Sequence, residues 1–332
     1  DKSSLDEEVK LRYQMAGIVH VLAISGLHIS IIGMSVYTLL KRLGVGLKGS
    51  ACLSGFIVLS YGVMTGFGPS TERAVIMFLV RMGAVYLGCT YDFLSALSFS
   101  ALILFVSRPL SILQTGVWFS FAAVLSIGVL WPAIEKCIPW QYAKTRNYKI
   151  EHLKKSMGVK TTIREWIERM IRYIGPSAAV TIGTLPLTAF CYGAVPLVGF
   201  FLNLLVLPLM NLFVPMALGA GGVSLLSISM AGFCGGTLHF ILQINRFLCE
   251  KMLIMPFSVW RTGVPPSAWL LIDYGLMIGF ALLALPEHKW FKHTDIGKIL
   301  IKKSWLLMLA GLFILIPIRK MYPMVAFIDV GQ

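Results

Sequence analysis

Charge is what this chain has least of. Only 13% of its 332 residues are Asp, Glu, Lys or Arg, about half the share found in soluble domains. That scarcity excludes a disordered chain, and it excludes a water-soluble enzyme, because a soluble fold of this size has too little interior to hide the remaining apolar surface. The six cysteines (Cys52, Cys89, Cys137, Cys191, Cys234 and Cys249) are scattered without paired or CxxC spacing. They read as small buried hydrophobes, not as a disulfide framework or thiolate metal site. No Walker A loop is present. The stretch from Gly44 to Ser50 lacks a lysine after Gly49, and Gly158 is followed by Val159, not lysine. Energy for any work on a substrate is therefore expected from another chain. Around Ser25 the GxSxG elbow of a serine hydrolase is broken by Ala23. Residues 1–10 are polar and acidic where a cleavable signal peptide is apolar, and they read as the interior of a longer protein. No internal repeat is visible.

What is abundant is hydrocarbon. Hydrophobic residues make up 57% of the chain and the mean hydropathy is +0.79. The expectation is an all-α, polytopic transmembrane helical bundle. About ten apolar segments fall at residues 17–40, 49–66, 73–90, 93–108, 111–134, 176–194, 197–217, 233–254, 268–285 and 304–318. The connections 41–48, 135–175 and 286–303 carry three, ten and five basic residues, 18 of the 29. With an even number of crossings all three lie on one side, which the positive-inside rule makes cytoplasmic, leaving both chain ends extracytoplasmic. The Gly/Ser-rich stretch 218–232 is where a hidden crossing would invert everything after it.

Local signals add detail. Ser4-Leu5-Asp6-Glu7 forms a capping box. A helix unbroken from 5 to 40 would measure about 54 Å, too long for one bilayer, so a break is expected near Gly17 or Gly26. In 135–175, Thr162-Ile163-Arg164-Glu165 forms a second capping box. Ile163, Trp166, Ile167, Met170, Ile171 and Ile174 follow it at helical spacing, opposite Arg164, Glu165, Glu168, Arg169 and Arg172. This predicts one cytoplasmic amphipathic helix on the inner leaflet or under a cytosolic partner. Pro186, Pro196, Pro208 and Pro215 predict broken helices, which membranes accept where they line a cavity. Gly62–Gly66, Gly232–Gly236 and Gly275–Gly279 have the GxxxG spacing of close helix pairs.

Polar residues inside apolar segments are the candidate site. Gly17, His20, Ser25, His28 and Ser35 share an arc of roughly 140° on a helix and must face protein or water. They read as an interhelix hydrogen-bond cluster or the wall of a path. Arg73 and Arg81 lie about 80° apart on a helix. An arginine near the bilayer centre costs about 2.5–3.5 kcal/mol on insertion scales, so each requires a carboxylate (Glu72 or Asp92), water or an anion beside it. Asn203 and Asn211 are eight residues apart on one face, and Arg246 is spaced to pair with Glu250. Tyr61, Phe67, Tyr86 and Trp118 are candidates for stacking on bases, or for core packing. No spacing suits a metal.

One segment is distinctive as a string. His20-Val21-Leu22-Ala23-Ile24-Ser25-Gly26-Leu27-His28 resembles the HLLAISGLH signature of the competence domain of ComEC proteins, bacterial DNA-uptake channels. Glu72-Arg73-Ala74 with Met77, Pro109-Leu110-Ser111 with residues 118–125, and Asn203-Leu204-Leu205 with Pro208 are similar to further elements of that family. Phe327-Ile328-Asp329-Val330-Gly331-Gln332 looks like the strand opening the metallo-β-lactamase-like domain in many members. The resemblance divides the chain into a membrane competence domain, residues 1–318, and the first strand of a truncated C-terminal domain, 319–332. It implies a channel for single-stranded DNA in the bacterial cytoplasmic membrane, without enzymatic activity or cofactor in this part. A cytosolic ATP-driven motor, an external DNA receptor and membrane lipid are its implied partners. On that reading the path residues, drawn from the polar residues above, are Arg73, Arg81, His20, Ser25, His28, Asn203, Asn211 and Arg246; those that match the family's motifs are His20, Ser25, Gly26, His28, Arg73, Asn203 and Pro208. The readings that compete with it are a permease for a small anion and a membrane scaffold for an external hydrolase.

Overall fold

A computed structural model describes residue 17 and residues 26–137, 158–224, 228–255 and 258–284. The apolar segments expected before 285 fall on helices: α1 (Gly26–Arg42), α2 (Leu47–Met64), α3 (Pro69–Leu87) and α4 (Phe93–Ser107), then α5 (Thr115–Leu125) and α6 (Trp131–Cys137), joined through a π turn (Ser126–Leu130). There follow α7 (Gly158–Tyr192), α8 (Val198–Ser224), α9 (Ile228–Leu253) and α10 (Ser267–Ala284). Among the described residues, five stretches are long and apolar enough to cross a membrane: α2, α5–α6, Glu168–Tyr192 of α7, Val198–Gly222 of α8, and α10. Ten crossings stay a reading of the sequence, and the segment 304–318 and the strand at 319–332 lie outside the described residues.

The chain places its own punctuation. Gly17 sits in a turn at φ +74°, so no helix runs through it. Pro69 opens α3, and Gly88 stops it at φ +73°, a conformation that glycine adopts without steric cost. Asp92 caps α4 by accepting the Ser95 backbone N–H at 2.7 Å. Hydrogen bonds from Ser95 hold its carboxyl below the usual range. The π turn ends at Leu130, two residues before Pro132, which has no N–H to return to the carbonyl four residues back.

Helices α1, α2 and α3 meet in one core around Ile29, Val58, Val75 and Phe78. Helices α8 and α9 form an antiparallel hairpin over Leu202, Val206 and Cys249, and α6 and α10 share Ala133, Phe280 and Ala281, with Leu130 of the π turn beside them. GxxxG pairs do not organise these contacts: Gly66, Gly232, Gly236, Gly275 and Gly279 have no atom of a described residue within 4 Å of where a Cβ would stand, and of the three pairs only Gly62 packs, against Phe67 and Val75. The close approaches are aromatic knobs in lone-glycine holes: Phe78 over Gly33, Phe93 over Gly128, Trp131 over Gly175.

Three expectations are corrected. Pro186, Pro208 and Pro215 do not break helices: α7 runs on through Pro186 and α8 through Pro208 and Pro215, and only Pro196 stands between helices. The amphipathic stretch after Thr162 is not a separate surface helix. It is the first half of the 35-residue α7, about 52 Å long, which continues through Pro176 into the apolar span. Trp131 seated on Gly175 and Ser126 against Gly183 run this helix alongside α6 and the π turn, so residues 158–167 project past the end of α6 near Cys137. Nor is 218–232 a crossing of its own: 218–224 are the last turns of α8, and α9 begins at Ile228.

The all-α expectation also missed a small clasp. β1 (Ala194–Pro196) pairs antiparallel with β2 (Val259–Arg261), Val195 opposite Trp260. Gly193 at φ +60° accepts both the Thr262 and Gly263 backbone N–H groups, at 3.1 and 3.0 Å. Strands of three residues carry no alternation to read. The clasp ties the end of α7 to the end of α9, so α8 and α9 must leave and return on the same side. In a cysteine-free background, Cys at 195 and 260 is expected to be bridged by a short bifunctional thiol reagent, since directly opposed Cβ atoms lie about 4.5–5.5 Å apart. Both positions are expected to label from one face of the membrane, and labelling from opposite faces would refute the hairpin.

Candidate functional site

Arg73 on α3 is the centre of the buried polar chemistry. It is 5% exposed. Its Nε donates to Ser120 Oγ on α5 at 3.0 Å, and Nη1 lies 3.7 Å from Met77 Sδ one turn along. The guanidinium carbon stands 5.7 Å from the centre of the Phe121 ring. A Cβ on Gly26 would come within 2.8 Å of Arg73 Nη2 and 3.2 Å of Ala74 Cβ, so the motif glycine is where α1 makes room for the guanidinium. His28, on the same helix, is buried. Phe121 faces the cation and in turn stacks on Phe105 at 6.2 Å.

The acids nearby in sequence are engaged elsewhere. Glu72 lies 3.8 Å from Arg108 and accepts the Ser107 hydroxyl at 3.2 Å, while Asp92 caps α4. Among the described residues no carboxylate pairs with Arg73. A cation inserted in an apolar bundle and held by one hydroxyl, a thioether and an aromatic face retains N–H donors for an oxyanion.

The other expected residues are placed apart from it. Arg81, two turns further along α3, is exposed, so the two arginines form no buried ladder. Arg246 is exposed and donates to Glu250 at 2.9 Å, the expected i,i+4 pair. Asn203 is half-buried with its Oδ1 unpartnered among the described residues. Asn211 is exposed and lines an open groove beside α1, and Pro208 is exposed. His20 and Ser25 lie outside the described residues. Tyr61 and Phe67 pack on the α1–α3 core. Trp118 donates to Ile112 O at 2.7 Å, and Tyr86 carries Lys48 above its ring at 5.4 Å. Ser120 and Phe121 lie in the 118–125 stretch noted for its family likeness, but sequence reasoning did not mark them as partners of Arg73; Asp273, the lone acid of the apolar segment 268–285, is fully buried on α10 with neither carboxylate oxygen bonded among the described residues. No group of three or more His, Cys, Asp and Glu among the described residues is arranged to hold a metal.

Apolar helices long enough to cross a bilayer, with a buried arginine that no carboxylate among the described residues pairs, define a membrane protein. The family model described as "Competence protein" matches residues 1–288, and the chain belongs to that family. Over 338 aligned positions it is 25% identical to ComE operon protein 3 of Bacillus subtilis, covering 100% of this chain and 38% of that protein. It is 23% identical to the competence protein ComA of Neisseria gonorrhoeae, over 80% of this chain and 33% of the relative. It is also 23% identical to the uncharacterised protein YcaI of Escherichia coli, over 81% and 32%. The chain thus spans about a third of the length of the curated relatives it matches. No solved structure matches it.

Proposed function

We propose that this chain is the membrane-crossing part of a competence DNA-uptake system and conducts one DNA strand across the bacterial cytoplasmic membrane, with Arg73 as the interior phosphate contact. The observation that carries this reading is the burial of Arg73 with no carboxylate partner among the described residues, in a chain of the competence family. A DNA strand carries one negative charge per nucleotide and requires fixed cations to replace water along its way. Gly26 gives the guanidinium its space, Ser120 orients it, and Phe121 offers an aromatic face. In the conformation described Arg73 is enclosed, so passage requires α1, α3 and α5 to part and the phosphate to take the place of Ser120. Both chain ends lie outside the cytoplasm on this reading, where an external DNA receptor would sit. A cytosolic ATP-driven motor would act on the opposite face. Transport, not catalysis, is the role assigned to these residues.

The test is import of a fluorescent single-stranded oligonucleotide into proteoliposomes under an inward driving force. Import by the wild type and its loss in Arg73→Ala are the expected results. Ser120→Ala, which removes one hydrogen bond to a charged group, is expected to slow import by about 10-fold. The enclosure of Arg73 favours one second reading, a permease for a small anion. Flux of such an anion in liposomes that exclude the oligonucleotide would replace the channel proposal with that one.

A further inference from the structure

The groove that Asn211 lines has a chemistry unlike the Arg73 site. Its floor is one face of α1: Ile31, Met34, Ser35, Thr38, Leu39 and Arg42, the i, i+3, i+4, i+7, i+8, i+11 stripe of a helix. The cavity, about 610 Å³, is open along its length. The apolar residues run along the helix and the cation stands at its end, with Lys41 beside it in the last turn.

The polar groups here are unspent. Hydroxyls elsewhere in the helices bond back to their own carbonyls: Ser60 to Phe56 at 2.9 Å, Thr184 to Val180 and Thr188 to Thr184 at 2.8 Å. Ser35, Thr38, Asn211 and Arg42 make no hydrogen bond to any described residue. Compensating acids are absent from both walls, because the sequence has no Asp or Glu from Val9 to Thr71 or from Arg169 to Cys249. An apolar trough with hydroxyl and amide donors along it, and cations that no acid among the described residues pairs, has the same chemistry as an amphiphile with an anionic head.

We infer that the groove between α1 and α8 binds one anionic phospholipid, its phosphate on Arg42 and Asn211 and an acyl chain along Ile31 and Met34. Basic residues between membrane-spanning helices at the membrane surface select anionic headgroups through added Coulomb attraction. The inference needs only that α1 and α8 lie in a bilayer and stands apart from the DNA proposal.

The experiment places a photo-crosslinking amino acid at Thr38 in the protein reconstituted in nanodiscs of phosphatidylglycerol and phosphatidylethanolamine in equal amounts. A single-stranded oligonucleotide is added outside, and adducts are read by mass spectrometry. The expected result is a phosphatidylglycerol adduct that exceeds the phosphatidylethanolamine adduct, falls about fivefold in Arg42→Gln and is retained in Arg42→Lys. Equal adducts with the two lipids, an adduct with the oligonucleotide or with another segment of the chain, or no adduct would each overturn it. The headgroup comparison is made in the protein with native Arg42, so a poorly folding Arg42→Gln leaves it standing.

Discussion

Replacing Arg73 with glutamine is expected to lower transformation about 100-fold or more while the protein still reaches the membrane and DNA still binds the cell. Hydrogen bonds to a charged group are worth about 1.5–3 kcal/mol each, and each 1.4 kcal/mol is tenfold, so loss of two phosphate contacts accounts for that size. Glutamine keeps much of the volume under Phe121 and a donor for Ser120, which separates loss of charge from loss of packing. Arg73→Lys is expected to be intermediate, because a point charge replaces a planar fork that grips two oxygens. Arg81→Gln, at an exposed position on the same helix, is expected to have a smaller effect than Arg73→Gln. The measurement is transformant count normalised to membrane protein level. Normal counts in a well-inserted Arg73→Gln protein would remove the phosphate contact from the mechanism.

The second large effect concerns folding. Gly175→Ala is expected to prevent stable insertion, because the added Cβ would occupy the volume of the Trp131 indole. Overpacking a filled interior costs about 1–3 kcal/mol or more, and here the obstacle is a rigid ring on α6, not the end of a flexible chain. Shrinking the knob should restore the fit: Gly175→Ala with Trp131→Leu is expected to accumulate better than Gly175→Ala alone. The check is the amount of monodisperse protein recovered in detergent, read as a double-mutant cycle. Equal recovery of wild type and Gly175→Ala would show that α6 and α7 meet elsewhere.

The membrane character and the apolar segments were legible because both depend on composition along the chain. Arg73 was legible because a charge in a greasy run is conspicuous wherever it points. Its surroundings were not. Ser120 and Phe121 lie 47 and 48 positions further along, and nothing in a run of apolar residues marks which of them will meet an arginine. The GxxxG spacings misled for a related reason: a glycine is a hole only when a neighbour supplies the knob, which among them only Gly62 receives, from Phe67, while Trp131, Phe93 and Phe78 supplied it to other glycines. The amphipathic stretch after Thr162 looked separable because its pattern changes at Gly175. The backbone ladder of α7 continues past that change, since hydrogen bonds along a helix do not depend on which face is apolar.

The sequence alone determined that this protein lives in a bilayer, that its few acids are outnumbered by its bases, and that it shares the competence motifs around residues 20–28. Those follow from side-chain chemistry and local order. Only the tertiary structure decided that Arg73 is enclosed while Arg81 and Arg246 face outward, that α8 and α9 return to one side under a two-stranded clasp, and that Asn211 faces a groove with Arg42. The reason is that burial and pairing belong to the surfaces of two or three helices at once, and no single stretch of chain carries that information.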